Sequence, residues 1–569
     1  MNSQQAPIAS SKLGLILSRR LALFLLSRDD YRAPHLDLPT DCSLINPSIL
    51  SLVHILHPAN LLHITFLPQS WSHGIRFVDA QRTLECAYRS KYLCLISELT
   101  SNRCWGYEFE WTDAHLTPEQ TKPLRHTYDV LGEECLDILN SISPPYKGAL
   151  PRNSNERQPI IPSVDSLEQE KKEVLPTPAR DLYALLKEHH ATNAKLDQLW
   201  QEVNTIPDWV DWEQIERGQD VFYRYGGPAL TGLTYQSLLG GMGAARVVET
   251  LARTGGFSTK VARGRLFETT QHILQCTRSL EGIKPGGEGH QSSIRVRLLH
   301  AAVRQRIVKL AEQKPEYFNL EEWGIPINDI DQVATIGTFS TTLIYISFPR
   351  QGIFLRQQEI VDYLALWRYI AYLLGTPDEW FETPSRAKAI MESLLYYEVN
   401  PSEMSKVMSN NIIYALKEEP PTFVSADMLV ASARWLNGND LSDRLGLKRV
   451  SPYYWSLMAG QCLFFIAFCY IYRSIPSWDR KHIDRSKDIF WNVIVKAKWG
   501  LAGTETTFDF KYVPQYDTLT NLGDIGERKL KTSSIEMRNL KTIGVFAGVV
   551  LVGTIVSVKV AWSMIGRLW

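Results

Sequence analysis

The chain has 569 residues, with Lys+Arg and Asp+Glu balanced at 61 each, an apolar content of 44% and a charged content of 21%. That length implies roughly two to four units, and the composition supports a sizeable core and excludes global disorder. The charge balance leaves no basic footprint for nucleic acid, which is not expected as a partner. The eight cysteines form no C-x-x-C pair, which argues against zinc and a secreted disulfide framework and suits a reducing compartment.

Leu13 to Leu26 is apolar but broken by Ser18-Arg19-Arg20. It is short for a span and has no small-residue cleavage site, so it reads as an interfacial anchor or a buried helix rather than a secretory signal. Residues 1–142 as a whole carry no clean motif, and their role stays open. Residues 143–178 open on Ser143-Pro144-Pro145, close near Leu175-Pro176-Thr177-Pro178, and read as a polar linker. From Ala179 the spacing turns helical, beginning with Leu182, Leu185 and Leu186. Helical segments then follow one another, separated by Gly226-Gly227-Pro228, Gly240-Gly241, Gly255-Gly256 and Pro285-Gly286-Gly287. Strand-like alternation is scarce, so residues 179–440 are expected to form one all-α domain.

Two late segments are strongly apolar. Tyr453 to Tyr472, within a region spanning 441–539, holds no formal charge. It fits a span, a buried helix or a helix lying in the membrane interface. Ile543 to Val558 is also uncharged, and continues past Lys559 to Met564. A bilayer core takes roughly 20 apolar residues as helix, so 540–569 is expected to be a transmembrane helix. Trp562 and Trp569 suit its interfacial belt, and Lys559 its snorkelling edge. One or two passes are compatible with these segments, and the lipid bilayer is an expected partner.

Chemistry concentrates in Arg295 to Arg306. On a helix, Val296, Leu299, His300, Val303 and Ile307 share one face. His300 thus stands in an apolar stripe beside the small Ala301 and Ala302, with Arg297 one turn before it and Arg304 one turn after. Haem needs an axial ligand, apolar walls and cations for its two carboxylates, and imidazole, aliphatic side chains and guanidinium groups supply these. The plain alternative is a core histidine flanked by structural arginines. Upstream lie Arg265-Leu-Phe-Glu268-Thr269 and a segment holding Arg246, Glu249 and Arg253. Glu249 is at helical spacing from both arginines, so a salt bridge is its ordinary role. Thr269 could likewise bond its own helix carbonyl.

These segments resemble the catalytic domain shared by rubber oxygenases (latex-clearing proteins) and ER-bound oxygenases of the MpaB type. The resemblance runs from about Asp208 to Pro401 and rests on Arg265-x-x-x-Thr269, Leu298-Leu-His300-Ala-x-Val-Arg304, their spacing and the upstream Glu249. It implies a helical domain holding haem b, with His300 as proximal iron ligand and Arg304 and Arg297 as cofactor-binding residues. It also implies catalytic roles for Arg265 and Thr269 near the haem, and for Glu249 as base. Some members carry a Lys before the motif Thr that caps the distal iron face; this chain has Glu268 there, so a Lys-capped state is not expected.

The function so implied is a membrane-bound oxygenase, at the endoplasmic reticulum, that uses O2 to oxidise or cleave a C=C bond of a lipophilic isoprenoid-type molecule. The alternative is a membrane-anchored helical scaffold that keeps the fold without catalysis. Other enzyme classes lack their signatures. No cysteine has a thiolate-haem setting, and no G-x-S-x-G elbow is present. Gly286-Gly287-Glu-Gly289 precedes a helix without a preceding strand, so it is no phosphate loop. His272, His290 and Glu288 form no recognisable non-haem iron motif.

Overall fold

A computed structural model of the chain describes residues 101–145 and 180–508, apart from 255, 256 and 260, together with Lys541, Gly544, Val545 and Gly548. The expected linker therefore lies largely, and the expected C-terminal span almost wholly, outside the described residues, as does Leu13 to Leu26.

The described residues are mostly helical, as the spacing implied. They open with a hairpin of β1 (Ser101–Cys104) and β2 (Tyr107–Glu110), paired antiparallel with Ser101 opposite Glu110. Trp105 and Gly106 both take positive φ, 51° and 70°, the two-residue turn whose twist matches that of the strands. The longer helices follow in order: α1 (Val130–Ile142), α2 (Leu182–His189), α3 (Ala194–Asn204), α4 (Trp212–Arg224), α5 (Ala245–Arg253), α6 (Ala262–Thr277) and α7 (Glu288–Gln313). After them come α8 (Asp329–Phe339), α9 (Gln357–Leu373), α10 (Pro384–Tyr397), α11 (Glu403–Leu416), α12 (Ala426–Arg444), α13 (Pro452–Ser474) and α14 (Pro476–Trp491). Three stretches among the described residues widen into π-helix, Leu233–Leu239, Leu343–Ser347 and Asn492–Lys496.

Side-chain caps set many of the starts. Asp129, Asp181, Asn193, Asp211 and Asn328 each accept a backbone N–H in the first turn of the helix that follows, satisfying donors that have no partner within the helix.

Two close helix crossings organise the interior. α4 lies against α9 where Gly218 meets the backbone of Asp362; a β-carbon on Gly218 would come within 2.3 Å of that carbonyl oxygen. α6 lies against α7 where Gly289 meets Gln275 and Cys276, with the same clash at 2.6 Å. The main core gathers around these crossings, with Trp367 stacked on Phe339 at 5.0 Å. A separate cluster joins α1, α2 and α3 to Ile294, Leu298 and Ala301 of α7. α7 therefore buries one face against these helices and leaves another for α6.

The compact unit begins at Ser101. Residues 101–142, which the sequence reading grouped with a separate N-terminal region, are tied to the helical body by specific bonds. Tyr107 donates to Glu392 Oε1 at 2.7 Å, and His115 Nε2 meets Glu392 Oε2 at 3.0 Å.

α13 contains Tyr453 to Tyr472 and is the one helix among the described residues long and apolar enough to cross a membrane. Its two sides differ. Tyr454, Met458, Cys462 and Cys469 are buried against the domain. Leu463, Phe464 and Ile471 face outward, Phe464 with 61% of its surface exposed. Arg473, near its end, donates to the Tyr225 hydroxyl at 2.7 Å. The helix thus lies along the protein with one apolar face open.

Candidate functional site

α7 carries three of the residues singled out from sequence, Arg297, His300 and Arg304, and the fold treats them differently. Arg297 is buried and makes a two-pronged bond to Asp129, Nε to Oδ2 and Nη2 to Oδ1, both 2.8 Å. Its third arm reaches Glu202 at 2.7 Å. Arg304 is also buried; it donates to the carbonyls of Pro326 and Ile327, meets Glu133 at 3.3 Å, and lies 4.6 Å from the Tyr128 ring centroid. Both guanidinium groups are therefore engaged by protein acceptors. A buried cation requires such partners, because an isolated one carries a large desolvation cost.

His300 lies between them. Its Nδ1 is buried and has no hydrogen-bond partner. Burial first, and then the Arg304 charge, pushes its pKa down to about 4, with Asp129 opposing. The imidazole is therefore neutral at physiological pH, the form that ligates iron. An orphaned ring nitrogen on a neutral imidazole fits an axial-ligand role. The two arginines, by contrast, do not stand open for carboxylates.

A second imidazole was not tied to His300 by sequence reasoning. His272, on α6, bonds Ser292 of α7 at 2.7 Å through Nδ1 and lies 3.8 Å from the Cys276 sulfur. Burial and then the proximity of His300 lower its pKa to about 4. The spacing of 28 residues across a loop hides this pairing in the sequence.

The other face of α6 borders a cavity of about 510 Å3, within the usual range of ligand pockets of roughly 300–1,000 Å3. Arg265, Leu266, Thr269, Thr270 and Ile273 line it from α6, and Val247 and Leu251 from α5. The π-helical stretch adds Leu233, Thr234, Tyr235, Ser237 and Leu238, and α10 adds Ile390, Met391 and Leu394. Ala334, Thr335, Gly337, Thr338, Phe339, Thr341 and Thr342 form a further part of the wall.

That wall is less polar than its composition. Thr335, Thr338 and Thr341 bond the carbonyls of Asp331, Thr335 and Gly337, and Thr234 and Thr270 bond those of Leu230 and Leu266. With their hydroxyls satisfied by nearby helix carbonyls, these threonines offer the cavity little free polarity. Thr269 differs. Its side chain stands exposed on the wall, and no hydrogen bond to it is recorded among the described residues. Arg265 lies beside it, with Nη1 3.6 Å from Glu268.

The structure brings Arg265 and Thr269 together on the cavity wall. His300 and Glu249 are not among the lining residues. Glu249 lies two residues from both Val247 and Leu251, roughly 200° away around the helix from each. It pairs with Arg253, the ordinary role its spacing implied. Arg253 in turn donates to the Tyr317 carbonyl at 2.9 Å and packs on Phe318 and Trp323. Glu398, also on the cavity wall, is held below the usual carboxylate range by Arg246 and Arg125 against the cost of burial.

Residues 223–462 match the family model described as ER-bound oxygenase mpaB/B'/Rubber oxygenase, catalytic domain. The rubber oxygenase of Streptomyces sp. (strain K30) is 21% identical over 268 residues, which cover 45% of this chain and 61% of that protein. The match thus spans less than two thirds of the relative's length. Among solved structures, latex clearing protein LCP in the closed state aligns with 52% of this chain and 79% of its own, at 18% identity and a TM-score of 0.41. The matched segment holds α6, α7 and every cavity-lining residue named above, and is similar to the catalytic domain shared by ER-bound oxygenases of the mpaB type and rubber oxygenase.

Proposed function

We propose that this protein is a membrane-associated, haem b-dependent oxygenase that uses O2 to oxidise or cleave a C=C bond of a lipophilic, isoprenoid-type substrate. The observation that carries the reading is the apolar cavity beside Arg265 and Thr269, within a domain of an oxygenase catalytic family. His300 would hold the haem through its neutral imidazole, and the group when bound would supply O2 activation. The chain's own residues do the rest. The mostly apolar wall binds hydrocarbon and excludes water. The Thr269 hydroxyl is available to orient an oxygen-bearing group, and the Arg265 guanidinium stabilises negative charge developing nearby. Glu249 can act on an allylic proton only after leaving Arg253 and swinging toward the reacting carbon. The exposed apolar face of α13 supports contact with a bilayer, at the endoplasmic reticulum by analogy with the family's description.

A scaffold without catalysis is the competing reading, favoured by the pairing of Glu249, Arg297 and Arg304 with protein partners. An absorption spectrum of the purified full chain, with pyridine haemochrome analysis, separates the two. A Soret band that moves in His300→Ala is expected. Colourless protein stoichiometrically loaded with another metal would overturn the haem assignment. Product analysis under labelled O2 then separates cleavage from hydroxylation.

A further inference from the structure

We infer that Arg263 is an access-controlling residue, a latch that ties together two loops at the mouth of the cavity and sets how fast apolar ligands enter and leave. This rests on the reading of the cavity as the ligand site. Arg263 lies in the first turn of α6 and lines the cavity together with Phe267, Leu416, Glu419, Pro420, Pro421 and Ile494. Its Nη2 donates at 3.1 Å to the carbonyl of Pro420, in the loop joining α11 to α12. The same nitrogen donates at 2.8 Å to the carbonyl of Trp499, in the turns that follow α14. The guanidinium also lies 5.0 Å from the Phe267 ring centroid and 3.7 Å from the Glu419 carboxylate. One side chain thus joins α6 to two segments more than seventy residues apart in sequence.

Three features make this a latch rather than a fixed brace. The Arg263 side chain is 24% exposed and that of Glu419 46%, so water competes for these bonds where the cavity meets solvent. Arg297 and Arg304, at 3% and 1%, have no such competitor. Each loop also holds non-glycine residues in the left-handed region, Glu418 and Phe423 in one (φ 58° and 49°) and Ala502 in the other (φ 54°). Such residues have lower-energy backbone alternatives once a restraint is released. Lastly, Arg263 bonds both segments at once, whereas the other ties between α6 and the segment after α14, Gln271 with Thr506 and Gln275 with Glu505, do not reach the α11–α12 loop. One guanidinium therefore ties the two loops to each other as well as to α6.

The test uses the full chain in detergent and a neutral apolar fluorophore, N-phenyl-1-naphthylamine, in stopped flow. Thr338→Trp, which fills the cavity, identifies the cavity-bound fraction of the signal. In Arg263→Ala, association and dissociation rates of that fraction should both rise at least about tenfold, the equivalent of one charge-assisted hydrogen bond, with the equilibrium constant changed less than about twofold. Arg263→Gln keeps one donor and should rise less; it carries the test if Arg263→Ala fails to fold, as judged by its thermal transition. Rates within about twofold of the parent, with Thr338→Trp still abolishing the signal, would overturn the latch and leave the cavity reading standing. A signal indifferent to Thr338→Trp would overturn the cavity reading, and the latch with it.

Discussion

Replacing Arg297 with Met tests whether that arginine braces the fold or anchors a cofactor. The side chain is 3% exposed, and its Asp129 partner 7%. Met roughly preserves the aliphatic volume, so the change mainly strips the charge and leaves the Asp129 carboxylate buried beside apolar atoms. Asp129 also caps α1 through the Gly132 N–H, and the Gly375 backbone packs closely over the guanidinium, so little water can enter to compensate. Breaking one side of a buried pair costs about 3–5 kcal/mol. At roughly 2 °C per kcal/mol for a domain of this size, the thermal midpoint should fall by about 6–10 °C. Differential scanning fluorimetry reads the midpoint, and the Soret absorbance per folded protein reads the pigment. With Asp129→Asn added, the double-mutant cycle should show coupling of about 2 kcal/mol or more. A midpoint shift under about 2 °C, together with loss of the Soret band, would refute the bracing argument and return Arg297 to the cofactor.

Three further outcomes follow from the same geometry. Thr269→Val should leave stability within about 0.5 kcal/mol yet slow product formation about tenfold, the worth of one neutral hydrogen bond; a stability loss matching the activity loss would contradict its place on the cavity wall. Glu249→Gln weakens the pair with Arg253, which keeps the Tyr317 carbonyl, and should cost only about 1 kcal/mol in denaturant titration. A far larger loss of turnover in that variant supports a base, and an equal loss a brace. Burial pushes His272 and His300 down to about 4 from the usual 6.5, so between these values, in the haem-free protein, the unfolded chain binds protons that the folded protein refuses. Their contribution is fully present above pH 6.5 and declines as pH falls toward 4, by roughly 1.4 kcal/mol per pH unit for each imidazole. His272→Gln should halve that slope in thermal midpoints measured across the window, and an unchanged slope would contradict the shared burial.

Much of this was legible where the determining contacts are local. Glycine and proline punctuation marked helix boundaries, and aspartate and asparagine caps stand where the spacing turns helical. The i,i+4 spacing of Glu249 and Arg253 already contained their pairing. What sequence did not reveal depends on chain segments far apart. Arg297 and Arg304 suit carboxylates of any origin, and only the fold shows that Asp129 and Glu133, about 170 residues earlier, supply them. The contribution of α10 to the cavity was hidden because Ile390, Met391 and Leu394 look like any amphipathic helix face. The π-helical stretch Leu233–Leu239 has no composition of its own, because one extra residue per turn reflects packing rather than residue type. The hairpin was missed because Trp105 is an unusual choice for a position with positive φ.

The threonines around the cavity have one more consequence. Thr335, Thr338 and Thr341 line the cavity while their hydroxyls bond helix carbonyls. Each side chain is a single χ1 rotation from reversing that arrangement, and Thr, unlike Val, populates two such rotamers on a helix. A hydrocarbon entering the cavity meets a dry surface. A carbonyl-bearing molecule meets a surface that can offer it a donor, in exchange for one bond within the helix. The polarity of this chamber is therefore set by a rotamer equilibrium, one that its occupant can shift without moving the backbone.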